Sequence, residues 1–151
     1  MTQAIEEYTT TLNDLIQICI DGQKGFEAAA GALESSDLRS ELLGFSSQRA
    51  EFAHDLQRLV ASTGEKPKAS GSVEGTLHRG WLNLKNAITS ADPHAILAEC
   101  ERGEDAAVAA YKTAMQEAMP PKLAIPVASQ FRVIQNTHDR VKSLRDSLKK
   151  A

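Results

Sequence analysis

An all-α bundle of four long helices and one shorter one is the fold that this sequence predicts, on three observations. Apolar residues in four long segments recur with gaps alternating three and four, the heptad seam of packed helices. Short breaks rich in Pro, Gly, Ser and Asp separate those segments. Nowhere does the period-two alternation of a strand run. A chain of 151 residues, 42% apolar and 25% charged, suffices for one compact domain, 1–151, with a sizeable core.

The first helix is expected from about Ala4 to Glu34, with Thr2 as N-cap and a seam of Ile5, Tyr8, Leu12, Leu15, Cys19, Gly22, Phe26, Ala29 and Leu33. Ile16 and Ile18 widen that seam towards a second neighbour. Gly22 and Gly25 weaken a helix by up to ~1 kcal/mol each. Their expected use is close approach by a bulky side chain from elsewhere. Ser35-Ser36-Asp37 then breaks the chain, too briefly for anything but an antiparallel second helix. Its seam reads Leu38, Leu42, Phe45, Arg49, Phe52, Leu56 and Leu59, and Gly64 is the natural left-handed end. Arg49 is the anomaly in that row.

Residues 65–72 form a linker, followed by a short amphipathic helix from Val73 to Ser90 with Val73, Leu77, Trp81, Leu84 and Ile88 on one face. Together they make a crossover long enough for the second and third long helices to run parallel. Asp92 as N-cap and Pro93 at the first position start the third long helix, which runs to about Met119. After Pro120-Pro121 the last helix begins near Lys122, with a kink or restart at Pro126, and continues to about Lys149. Its seam is Val127, Phe131, Ile134, His138, Val141, Arg145 and Leu148.

A net charge of −3 argues against a nucleic-acid or membrane-surface partner. The basic run at the C-terminal end complements the dipole of the last helix. Cys19 and Cys100 are in no metal-type spacing, and each falls on an apolar face, which points to a reducing, cytoplasmic setting. The stretch Met1–Glu7 carries neither the basic region nor the apolar run of a signal peptide. No apolar stretch approaches the ~20 residues of a membrane helix.

Two patterns invite a reading as chemistry. Glu51-Phe52-Ala53-His54 matches the Glu-x-x-His of di-iron bundles, and Gln135-Asn136-Thr137-His138 matches it with Gln for Glu. If Phe45, Phe52 and Leu59 face the core, however, Glu51 lies at an edge and His54 points away, so a solvated face is expected there. Asp21 and Glu27 likewise fall outside the first seam. The second pattern is the row Leu97, Cys100, Glu104, Ala107, Tyr111, Ala114, which places one carboxylate inward. In this phase Glu99, Arg102 and Asp105 point outward and Glu101 lies on the margin. Helices that turn around Pro120-Pro121 bring Glu104 level with His138, and Arg49 reaches the same layer. A buried network of Arg49, Glu104 and His138 is therefore expected, setting helix register rather than performing catalysis. The alternative is a metal, iron or manganese, on Glu101, Glu104 and His138. His78 and Arg79 beside Trp81 make a second polar cluster. Neither a triad, a phosphate loop nor a zinc spacing is present.

The segments Gly71-Ser72-Val73, Leu77-His78-Arg79-Gly80-Trp81, Leu84-Lys85, Glu99 to Asp105, Tyr111 and His138-Asp139-Arg140 together resemble a bacterial, mostly proteobacterial, family of unknown function with a ferritin-like four-helix bundle. The resemblance covers nearly the whole chain and implies a ferritin-like bundle with an extra short helix in the crossover. It carries no activity with it. Without a second full Glu-x-x-His, ferritin-type iron oxidation is not expected. The function expected is that of a cytosolic structural, stress-associated or protein-interaction protein, not an enzyme and without a cofactor. An unidentified protein partner or a homodimer is the expected company.

Overall fold

A computed structural model describes residues 2–67 and 80–148, with side chains from Tyr8 onward. Among the described residues there are five helices and no strand: α1 (Thr2–Gly31), α2 (Ser36–Ser62), α3 (Leu84–Ser90), α4 (Pro93–Met115) and α5 (Pro121–Asp146). Local chemistry sets the boundaries. Ser35 accepts a hydrogen bond from the Leu38 N–H at 3.3 Å and starts α2, while Gly64, at φ +88°, ends the turn after it. Asp92 accepts from the His94 N–H at 3.1 Å, with Pro93 in the first turn of α4. Thr2 lies inside α1 instead of capping it. α5 continues as one helix through Pro126, without the restart expected there; the carbonyl left without its usual donor belongs to Lys122, in the exposed first turn.

Cross-helix contacts give the directions. Gln23 pairs with Ser46 and Phe26 with Phe45, so α1 and α2 are antiparallel. Tyr8 bonds the Ala118 carbonyl and Cys19 meets Tyr111, so α1 and the α4 end of the chain are antiparallel too. α2 and α4 therefore run parallel, and the chain between them must travel back along the bundle. α5 returns against α4, through Tyr111–Gln130, and touches α2 through Gln48–Thr137 and an Arg140–Glu41 ion pair.

Helices α1 and α4 are the central pair. α1 buries a wide face that includes Leu12, Leu15, Ile16, Ile18, Cys19 and Ile20, and α4 buries Ile96, Leu97, Cys100, Ala107, Tyr111 and Ala114. The outer helices are rotated relative to their expected seams. In α2 the rows Leu42, Arg49, Leu56 and Ser46, Ala53, Val60 are buried, leaving Phe45, Phe52 and Leu59 half-exposed. In α5 the rows Val127, Ile134, Val141 and Gln130, Thr137, Leu144 are buried, leaving Phe131, His138 and Arg145 half-exposed. A heptad admits two second rows beside each anchoring row, and here polar partners decided between them. Ser46 donates to the Gln23 carbonyl at 2.8 Å, Thr137 to Gln48 at 3.2 Å, and Gln130 to the Phe52 carbonyl at 3.3 Å.

The crossover also departs from its expected form. Of the helix expected from Val73 to Ser90, only Leu84–Ser90 is helical among the described residues, and Val73, Leu77, His78 and Arg79 lie outside them. Gly80 to Asn83 is a tight non-helical turn against α4. Gly80 has φ +93°, and a Cβ there would sit 2.8 Å from the Gly103 Cα, so only glycine fits. This turn drives Trp81, 2% exposed, between Gly25 of α1 and Gly103 of α4.

Candidate functional site

The core falls into two apolar halves. One is built on Leu12, Leu15, Leu56, Tyr111, Val127 and Ile134, the other on Phe26, Leu33, Leu42, Trp81, Leu97 and Val141. A polar layer crosses the bundle between them. At its centre the Arg49 guanidinium, 1% exposed, donates to both oxygens of the fully buried Glu104, at 2.6 and 2.5 Å. Gly22 leaves the room for it, since a Cβ there would already touch the Arg49 Cγ at 3.4 Å. The guanidinium also lies over the Phe26 ring, 5.6 Å from its centroid. Burial pulls the Arg49 pKa down, but the Glu104 charge and hydrogen bonds outweigh it, and the net direction is upward. Arg49 and Glu104 are thus a closed, bidentate pair of opposite charges.

A second polar chain runs beside this layer. The Tyr111 hydroxyl donates to Gln130 at 2.7 Å and lies 3.2 Å from the Cys19 thiol. Burial, opposed by the Arg49 charge, pushes the Cys19 thiol from 9.0 up to about 11, and burial raises Tyr111 as well. Such groups keep their protons in the folded chain after the unfolded chain has released them. The stability each contributes is complete below that group's ordinary value and falls by about 1.4 kcal/mol per pH unit as pH rises from there to its raised value in the folded chain. The urea midpoint is accordingly expected to be lower at pH 10 than at pH 7. In Cys19→Ala the loss between those two pH values should shrink; an unchanged loss would mean that the thiol titrates freely.

The expected His138–Glu104 contact is not made. With α5 rotated, His138 faces the rim of the α4–α5 interface, where Nε2 lies 2.7 Å from Asp105 Oδ1 and Nδ1 lies 3.1 Å from Asp139 Oδ1. Burial lowers the His138 pKa, but the bonds to Asp139 and Asp105 together raise it by more, and the net direction is upward. Glu101, one turn before Asp105, comes within 2.6 Å of Arg145 Nη1. The expected metal set of Glu101, Glu104 and His138 is therefore divided between two places. Glu104 is held by Arg49 inside the core. Glu101 and His138 stand at the rim, where Asp105 takes the third place, and donor atoms of the three lie within 4.8 Å of one another.

Other positions divide in the same way. Glu51 and His54 are exposed on α2. Glu99, expected outside, is 1% exposed: its carboxylate accepts the Asn83 N–H at 2.7 Å and the Arg102 guanidinium at 2.7 Å, which pins the Trp81 turn to α4. Burial here comes from the crossover, which covers the outer face of α4, and heptad phase carries no trace of it. Asp21, also expected outside the seam, is fully buried. Cys19 and Cys100 are free and buried. No helix among the described residues is long and apolar enough to cross a membrane.

Comparison with curated proteins finds no match. A family model does match, over residues 7–117, which takes in most of α1, all of α2 with Arg49, the crossover and all of α4 with Glu104. The chain belongs to that family, described as a domain of unknown function, DUF2383.

Proposed function

We propose that this chain is a ferritin-like bundle without catalytic activity, acting in the cytoplasm as a structural, stress-associated or protein-interaction component. The observation that carries this reading is the bidentate Arg49–Glu104 pair. In a redox bundle the inward carboxylates hold metal ions between the helices. Here the inward carboxylate on α4 is already neutralised and hydrogen-bonded, and a guanidinium fills the space where cations would sit. A cation beside Arg49 would meet direct charge repulsion in a low-dielectric interior. The raised thiol of Cys19 and the paired Tyr111 hydroxyl leave no activated nucleophile in the same layer. Two free, buried cysteines suit a reducing compartment.

Ferrous iron oxidation in air tests the reading directly. With the chain present at equimolar concentration, the rate at 315 nm is expected to equal that of buffer alone. Acceleration that disappears in Glu104→Gln would overturn the proposal and place redox chemistry in the core.

A further inference from the structure

We propose that Glu101, Asp105 and His138 bind a single divalent transition-metal ion, which clips α5 to α4 from outside the core. This goes beyond the non-catalytic reading and leaves it intact, because Glu104 and the polar layer take no part.

Three observations converge on the site. The first is the donor set. Glu101 and Asp105 are four residues apart on one face of α4, His138 approaches from α5, and their donor atoms are within 4.8 Å of one another. Two carboxylates and an imidazole suit ions such as Zn2+ or Mn2+, and the open side at Asp105, 58% exposed, leaves room for water to complete the shell.

The second is the orientation of the imidazole. Metal-bound histidines characteristically give their other ring N–H to a carboxylate, which fixes the ring and its tautomer. Asp139 does this at His138 Nδ1, at 3.1 Å, so Nε2 is the nitrogen turned to Asp105. On ligation the ion takes the place of the Nε2 proton, which is released to solvent.

The third is the unsettled state of Glu101. Its Oε1 is buried and has no hydrogen-bond donor, although Arg145 Nη1 lies 2.6 Å away. The contact is thus electrostatic and off the hydrogen-bonding direction. Arg145 has a second carboxylate in Asp146, at 2.8 and 3.2 Å, and stands in the last turn of α5. It keeps Asp146 as counter-charge when a stronger cation displaces Nη1 from Glu101. Arg145 is a stand-in positive charge, and the ion competes with it.

That competition gives the test a sign that a merely structural cluster would not produce. Tag-free full-length chain, stripped with chelator and dialysed, is titrated with zinc chloride in a calorimeter. One ion per chain is expected. Glu101→Gln and His138→Ala should each weaken binding more than ~10-fold, and Asp139→Asn by about 10-fold, the usual effect of losing an outer-shell carboxylate. Arg145→Gln should tighten it by ~10-fold or more, which is about 1.4 kcal/mol. Far-UV circular dichroism checks that each variant remains helical; should His138→Ala unfold, Asp139→Asn and Arg145→Gln still decide the matter. An absence of binding in both the parent and Arg145→Gln would overturn the site. So would undiminished affinity in Glu101→Gln or Asp139→Asn, which would assign the zinc to other surface histidines. Weaker binding in Arg145→Gln would make the arginine part of a structural ion pair only.

Discussion

Arg49→Ala is expected to lower the unfolding free energy by about 3–5 kcal/mol, because it leaves the Glu104 carboxylate buried with no counter-charge. The parent pair is 1% and 0% exposed and doubly hydrogen-bonded, so water cannot take over the lost contacts without opening the bundle. Urea denaturation followed by circular dichroism measures the change. Glu104→Gln should cost a comparable amount, since it strands the guanidinium instead. The informative variant is the pair Arg49→Met with Glu104→Leu. Replacing a buried ion pair by apolar side chains of similar size is often neutral or stabilising, because both desolvation penalties vanish together. The double variant is therefore expected to recover most of what either single variant loses. A double variant as unstable as the singles would show that the pair contributes net stability here. A loss below about 1 kcal/mol in Arg49→Ala would place the pair in the range of exposed ion pairs.

This layer shows what the amino-acid order made legible. The three–four spacing of Leu97, Cys100, Ala107 and Tyr111 puts Glu104 inside whatever the neighbours are, and the row Leu42, Arg49, Leu56 does the same for Arg49. Both rows are anchors, buried in the structure as expected. The neighbouring rows were not decidable. Phe131 and His138 compete with Gln130 and Thr137 for the second face of α5, and hydrophobicity alone favours the phenylalanine. The fold takes Gln130 and Thr137, because Tyr111 and Gln48 are there to bond them. That rotation moves His138 from Glu104 to Asp105, one residue along α4 and on the other side of its seam.

Glu99 illustrates a different limit. Its inward environment is made by a turn more than fifteen residues upstream in the chain, and periodicity along α4 records only contacts shared by the whole helix. The signal that was available lay in glycine. Gly103 stands mid-helix, where glycine is unfavourable, and Trp81 is the single tryptophan of the chain. Gly22 and Gly25 offered the matching gap on α1, and the structure fills them with Arg49 and Trp81 respectively.

Trp81 is the second position where a large effect is expected. Truncation to alanine should cost about 3–5 kcal/mol, the usual range for a buried aromatic. The indole packs edge-on to Phe26 at 5.2 Å and joins α1, α4 and the crossover in one contact. The glycines on either side turn that expectation into a sharper one. A Cβ at Gly103 would lie 2.5 Å from Trp81 Nε1 and Cζ2, and one at Gly25 would lie 2.5 Å from Cδ2. These are overlaps with a rigid ring, so Gly103→Ala should destabilise the parent by roughly 1–3 kcal/mol through overpacking, despite the better helix propensity of alanine. In a Trp81→Ala background the overlap is gone and only propensity remains. The same Gly103→Ala change should then stabilise by up to about 1 kcal/mol. A reversal of sign between the two backgrounds ties glycine and tryptophan together as one joint, with a coupling energy that the double-mutant cycle reads directly. Equal effects in both backgrounds would mean that α1 and α4 can part to admit the methyl group, and that the indole does not fix their separation.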